Sequence, residues 1–405
     1  MRKHAPLILS PRFGAITGWG LCAIVMACLC TGLAINQLYI GMVRSDALRS
    51  AEASALAGGY RLLSDDLLRK QQQSFEAEGR LAKSRQAVLE LSSQYHRTSL
   101  APMPAADQIV FENDSADSLL PDRVCVSWSR FRNAQQIPLF MSGLMGRSSA
   151  MVDVEAVVAI DHSPVGFVPS GNVSIPAMPF AIPDDSSSSN SWSHLIEDGH
   201  GSDRFSWNAD RNQIEQGPDG LPEMTLAITG GQSAIADGQL IPLRVSDPRV
   251  GAVGFRQCIC SGLDQKALRY AGVEEIQLPQ HLPLSVIEAR DLHRIADSLG
   301  EMRGNSVIYF LSESVESDRS NGSGKSVDSG ASGVADEDSQ SAVANAQTLL
   351  LTRPVAARIM RVRQDDSGRI DVTLQPCVIS TSTAKMAQAP AANPNRYVYS
   401  VRLLR

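Results

Sequence analysis

Three short stretches bring together side chains that could do chemistry. Asp184 to Ser188, and again Asp185 to Ser189, satisfy D-x-S-x-S, in which a carboxylate and two hydroxyls offer hard oxygen ligands to Mg²⁺. A working motif of that kind sits at the end of a buried strand, whereas this one follows Pro183 inside a serine run and reads as a linker. Asn208, Asp210 and Asn212 have the alternating oxygen spacing that begins a calcium loop, with Asp219 in the closing place. The glycine of the sharp turn is missing, because Gln213 holds its position, so a polar turn is the expectation. His194, Glu197, Asp198 and His200 are four potential ligands in one segment, but not at the H-E-x-x-H spacing of a metalloprotease helix. Gly199 and Gly201 mark that segment as a loop. None of the three is taken as a metal site.

Nucleophilic chemistry has even less support. No G-x-S-x-G is present, Ser261 in CICSG lacks that context, and Cys258 and Cys260 have no local base. The phosphate-cradling G-x-x-x-x-G-K-[ST] is absent as well. We therefore expect no enzyme, no catalytic residue and no cofactor. The net charge of −6 supplies no basic stripe and excludes nucleic acid as an expected partner. Cys22, Cys28 and Cys30 lie in an apolar run, where a thiol acts as a small hydrophobe. Cys125, Cys258, Cys260 and Cys377 are left open between a disulfide joining distant positions and unpaired buried thiols.

The element that must position the rest is Gly14 to Ile40, uncharged from Gly14 to Leu33. That is roughly the twenty apolar residues needed to cross a hydrocarbon core, so residues 14–40 are expected to form a transmembrane helix. Arg2, Lys3 and Arg12 on the short flank, residues 1–13, place the N-terminus in the cytoplasm and the bulk of the chain outside. The expected localisation is the inner membrane, single-pass. A lipobox-like Val25-Met26-Ala27 precedes Cys28, but the apolar run continues well past it, and Trp19 stands where prepilin cleavage after Gly14 would want an acid. The anchor is expected to be retained.

Residues 41–100 read as a helical stalk. The first helix continues to Ala57 and breaks at Gly58-Gly59, and a second, lightly covered one spans Leu62 to Tyr95. Ala47, Ala51, Ala55 and Gly58 recur at helical spacing and form a smooth stripe for helix packing, either with a partner or within the chain. Residues 101–183 hold strand-like runs at 108–111, 123–128 and 151–160, with a short helix expected between Ile137 and Gly146. Residues 184–203 read as a serine-rich linker. Residues 204–312 and 346–405 read as a C-terminal α/β domain, with strands at MTLAI, Ile241–Val245 and SVIYFL. Within it an amphipathic helix is expected over Pro283–Leu299, together with a hairpin turning at Asp-Ser-Gly and a last strand YVYSVRLLR. Residues 313–345 are poor in large apolar side chains and are expected to be a disordered insert. The expected fold class is α+β: one N-terminal transmembrane helix extended into a long pilin-like helix, then β-rich extracytoplasmic domains.

Thr31 to Gly59 resembles the N-terminal segment of the TadE/TadG-like family of Flp (Tad) pilus-assembly proteins. Leu33-Ala34-Ile35 precedes Asn36 where the family has Asp, Leu38-Tyr39 matches its Leu-Tyr pair, and Ala51 to Gly59 matches its alanine-rich end through Ala55, Leu56, Ala57 and Gly58. Glu52 replaces the second family Asp. Arg123 to Gly146 is more loosely similar to the strand, glycine-closed segment, strand pattern of the same proteins. The likeness covers about the first 180 residues. It implies a non-enzymatic bitopic protein that assembles or anchors a Flp/Tad-type pilus or related secretion apparatus, with the bilayer and pilus or secretion subunits as partners. The alternative is a membrane-tethered binding or sensing module unrelated to pili.

Overall fold

The structure is a computed structural model. It describes residues 13–69, 73–98, 104–113, 120–129, 137–139, 149–185, 187–231, 238–247, 252–313, 348–387 and 394–404. The chain divides into two compact units. The first holds residues up to Arg61, Arg80–Ala159 and Leu403–Arg405; the second holds Leu62–Gly79 and Ile160–Arg402.

The first unit is built on α1, Phe13–Leu62, a single helix of 50 residues and therefore about 75 Å long. Its N-terminal part is long and apolar enough to cross a membrane. Trp19, Leu21, Ile24, Met26, Leu38 and Met42 are all exposed there. Further along, Val43, Ala47, Ser50, Ala51, Ser54 and Ala55 are buried. The helix runs through Gly58-Gly59 instead of ending at Ala57, because Gly58 is a point of close approach: a Cβ on it would lie 2.6 Å from Val88 Cγ2. Val88 belongs to α2, Gln73–Thr98. The hidden face of α2 is Arg80, Ser84, Val88 and Ser92, one residue in four, so its buried side is mostly small and polar. Strands β1 (Ile109–Glu112), β2 (Arg123–Ser129) and β5 (Asp153–Asp161) form an antiparallel ladder, with Ile109 opposite Val126 and Val124 opposite Val158. Alternation along β5 buries Val154, Ala156 and Val158. Between β2 and β5, β3 (Ile137–Pro138) pairs with β4 (Ser149–Ala150). Ile137 and Pro138 are thus strand, not the start of a helix, and the rest of that expected helix, 140–146, lies outside the described residues.

In the second unit the strands are β6 (Pro164–Phe167), β7 (Ala177–Pro183), β8 (Phe205–Asn208), β9 (Gln213–Gln216), β10 (Met224–Ile228), β11 (Ile241–Pro242), β12 (Ile276–Gln277) and β13 (Gln280–Pro283). They continue with β14 (Ser306–Glu313), β15 (Thr348–Gln364), β16 (Ile370–Pro376), β17 (Ile379–Ser380), β18 (Ala384–Met386) and β19 (Val398–Leu404). One sheet has the order β10-β16-β15-β14-β7-β11, with β13 also on β15, and only β14 and β7 run parallel in it. Helices α3 (Ala252–Ser261) and α5 (Leu292–Glu301) pack on it, α3 through a T-shaped contact of Phe255 with Phe180 at 5.1 Å. Between them stands α4, Gln265–Tyr270, capped by the Asp264 carboxylate.

Three expectations change here. The proline-studded tract Pro164–Pro183, read as the end of a first domain, belongs to the second unit, and its AMPFAIP is β7, buried along its whole length. Pro179 sits where the register with β14 shifts, and its carbonyl accepts from the Leu243 N–H at 3.0 Å on the other side. The stretch expected to be a linker, 184–203, is anchored to the core through Ser191, Trp192 and Ile196, while Ser187, Ser189, Asn190 and Asp198–His200 stay exposed. Trp192 is wholly buried, and Ser193–Glu197 coil into one wide helical turn. Composition misled because one tryptophan outweighs a run of serines in buried area. The amphipathic helix starts at Leu292, not Pro283. Leu284 and Ser285 first pair with the β11 segment, Ser285 N–H donating to the Pro242 carbonyl at 2.9 Å. The expected insert, 313–345, lies outside the described residues beyond Glu313, which ends β14.

Candidate functional site

The small-residue stripe is covered within the chain. Ala47, Ala51 and Ala55 are at most 2% exposed, and α2 supplies the partner surface at the Gly58 end. Ser84 Oγ donates to the Gly58 carbonyl at 2.8 Å, and the Ser54 and Ser92 hydroxyls meet at 2.8 Å. Small side chains let two helices approach until hydroxyls can reach across, which larger residues would prevent. The family-type positions divide between two environments. Leu38 is exposed, Tyr39, Glu52, Leu56 and Ala57 are half-buried, and Ala55 and Gly58 are buried.

Ser186 lies outside the described residues, and the described carboxylates and histidines of the three candidate ligand stretches do not gather into a metal-sized cluster. Asp184 accepts hydrogen bonds from the Ser193 backbone and hydroxyl, both at 2.8 Å, while Asp185 caps a local turn through Ser187. Asn208 and Asn212 flank the β8–β9 turn, where Asn208 is taken up by Glu215 at 2.7 Å. Asp219 instead accepts from Gln375 at 3.2 Å. His194 and His200 stack at 4.4 Å between ring centroids, with Asp198 3.9 Å from His194, and Glu197 turns away from both towards Arg353. Among the described residues no three His, Cys, Asp or Glu side chains form a metal-sized cluster. All seven cysteines are free. Burial raises the thiol of Cys125 to about 11 and those of Cys258 and Cys377 to about 12, so these three are inert at neutral pH.

What the fold does build is a cavity of about 710 Å³ in the second unit. It is lined by Leu68, Val165, Glu197, Arg353 and Tyr397 among others, and it falls in the size range of small-molecule sites. Its charged head comes from elements far apart in sequence. Arg353 stands on β15 at a bulge, where Thr352 and Arg353 share the single partner Leu311, and such a bulge re-aims a side chain. The guanidinium donates to Glu197 Oε1 at 2.6 Å and Oε2 at 3.1 Å, to Asp184 at 3.0 Å and to Ser193 Oγ at 2.9 Å. Burial pulls its pKa down, but the two carboxylates outweigh that and hold it above its ordinary value. Tyr397 closes the group, accepting from Trp192 Nε1 and donating to Glu197, both at 3.3 Å. Two carboxylates face the one guanidinium of Arg353 here, and Arg396 also lines the cavity.

Sequence reasoning singled out Glu197 and Asp184 but for metal, and it missed Arg353 and Tyr397. The available signal was weak: Arg353 is one of four arginines along β15, and its place between Leu351 and Val355 is what sets it beside buried positions.

Comparison with protein-family models, with curated proteins and with solved structures finds no match.

Proposed function

We propose that this chain is a non-enzymatic, single-span envelope protein that assembles or anchors a Flp/Tad-type pilus or a related secretion apparatus, as the resemblance at Tyr39–Gly59 implies. The observation that carries the proposal is the division of α1. Its first part offers bare apolar side chains that only lipid or another membrane helix would satisfy, and its second part is closed by α2. In this reading the helix supplies insertion energy, at about 1.5–3 kcal/mol for each large apolar side chain taken out of water. The N-terminus is cytoplasmic, the membrane is the inner one, and both β-containing units lie outside it.

A second reading, a membrane-tethered extracytoplasmic binding or sensing module, is favoured by the cavity at Arg353 and Glu197.

Cross-linking in intact cells followed by mass spectrometry separates the two, run beside a version with Gly14–Leu33 replaced by an unrelated membrane helix. Pilus platform or pilin subunits recovered with the native helix alone support the assembly role. Recovery of no pilus component with either version removes that role and leaves the tethered module. A soluble version for ligand binding should begin near Val43, not at Ala101, because Asp65 and α2 belong to the folded units.

A further inference from the structure

Strands β10 and β16 run antiparallel with Met224 opposite Leu374, so Glu223 and Gln375, the next residue on each, stand side by side. Both are buried, Glu223 at 1% exposure and Gln375 at 0%. Their heads grip one residue of β8. Glu223 Oε1 accepts from the Phe205 N–H at 2.6 Å and the Arg204 N–H at 3.2 Å, while Gln375 Nε2 donates to the Phe205 carbonyl at 3.0 Å. The same amide nitrogen also donates to Asp219, at 3.2 Å from its nearer oxygen. The hairpin of β8 and β9 is thus held at its first residue by a carboxyl group and an amide. One atom of each head is left over: no described residue donates to Glu223 Oε2 or to Gln375 Oε1, and both are fully buried.

With Glu223 ionised, those two atoms are both acceptors, and a buried acceptor without a donor is destabilising. A proton on Oε2 turns one of them into a donor for the other. We propose that Glu223 is a proton-operated clamp on the β8–β9 hairpin, closed when the protonated acid donates from Oε2 to Gln375 Oε1 and opened when that proton leaves.

The surroundings favour the neutral acid. Asp203, whose oxygens accept from the Asp219 and Gly220 N–H groups, and Asp219 both bring negative charge to the same place. Arg69, from the segment after α1, faces Asp219 and offsets part of it. Arg358 on β15 lies over Trp207 of the same β8. Burial raises Glu223 most, Asp203 and Asp219 add to it, and the Phe205 and Arg204 N–H groups oppose it without cancelling it. For an acid raised in the folded chain, the stabilisation is complete below the ordinary glutamate value of about 4.3 and is lost as pH rises through the raised value. The hairpin therefore loosens as mild acidity is removed.

The test uses the full chain in detergent micelles. Hydrogen–deuterium exchange, corrected for intrinsic rates, should show protection of the amides of 206–216 falling about tenfold between about pH 5 and pH 8, while β14 stays protected. Glu223→Gln keeps an oxygen for the Phe205 N–H and carries a permanent N–H for Gln375, so its hairpin should hold the same protection across that range. Asp219→Asn should retain the fall. The proposal is overturned if wild-type protection does not change with pH, or if Glu223→Gln follows the wild-type profile. It also fails if the hairpin of Glu223→Gln is open at every pH, which would mean that Oε2 accepts from a bound water, or if Asp219→Asn alone abolishes the dependence.

Discussion

Arg358 and Asp65, 293 residues apart in the chain, meet in a buried ion pair with Arg358 Nη1 2.8 Å from Asp65 Oδ2. Asp65 comes three residues after the end of α1, so this pair holds the segment that follows the membrane-type helix onto β15 of the second unit. Its other oxygen accepts from the Val378 N–H at 2.8 Å. The guanidinium donates in addition to the Gly304 carbonyl and to Ser306 Oγ, both at 3.1 Å, and lies 4.5 Å from the Trp207 ring centroid. Removing one partner of such a pair leaves a buried charge uncompensated, at a cost of about 3–5 kcal/mol. Asp65→Ala should therefore lower the melting temperature of the second unit by many degrees, whereas Asp66→Ala, which breaks the half-exposed pair with Arg69, should change it little. Differential scanning calorimetry of the full chain in detergent decides between them, and equal effects would remove the special role of Asp65.

Gly58 offers a second measurement. With Val88 Cγ2 2.6 Å and Ser84 Oγ 3.3 Å from where a Cβ would lie, Gly58→Ala should force α1 and α2 apart and cost about 1–3 kcal/mol. Gly41, with open space around it, should accept alanine without loss. Urea titration followed by Trp128 fluorescence in the first unit reports the difference.

At the cavity, Arg353→Met removes the one cation between Asp184 and Glu197. The head is partly open to solvent, so the loss should be only about 1–2 kcal/mol at neutral pH. Salt should reduce it, giving a melting-temperature gap from wild type that narrows as ionic strength rises. A gap independent of salt would show that packing, not charge, is what Arg353 contributes.

Cysteine reactivity should follow burial. Cys260 is exposed on α3, with its Sγ 3.9 Å from Glu301, while Cys125, Cys258 and Cys377 are buried with raised thiols. In native detergent-solubilised protein at about pH 8, maleimide should label Cys260 far faster than those three, which should react only after unfolding. Mass spectrometry of the labelled peptides reads the order directly.

Much of the framework was legible in the chain. The uncharged run from Gly14 announces the first part of α1, the alternation in VDVEAVVAI gives the inward face of β5, and the Asp-Ser-Gly turn sets the β15–β16 hairpin, where Asp365 Oδ1 accepts from the Ser367 and Arg369 N–H groups. MTLAI and SVIYFL fall within β10 and β14. Each of these signals is periodic or local, and neighbours in sequence are enough to produce it.

The site residues carried no such mark. Asp184 and Glu197 lie in a segment whose composition reads as a serine linker although Trp192 between them is wholly buried, and Arg353, which donates to both, lies more than 150 residues away. The α2 seam was hidden for another reason: apart from Val88 its buried face is two serines and one arginine, which composition assigns to solvent. By itself the sequence determined which segments become the apolar helix, the buried strands and the tight turns, because backbone propensity and hydrophobic period act over a few residues. Only the tertiary structure decided that Asp65 meets Arg358, that Arg353 meets Glu197 and that Glu223 stands beside Gln375. A polar group is buried only where a partner arrives, and the chain can bring that partner from any distance.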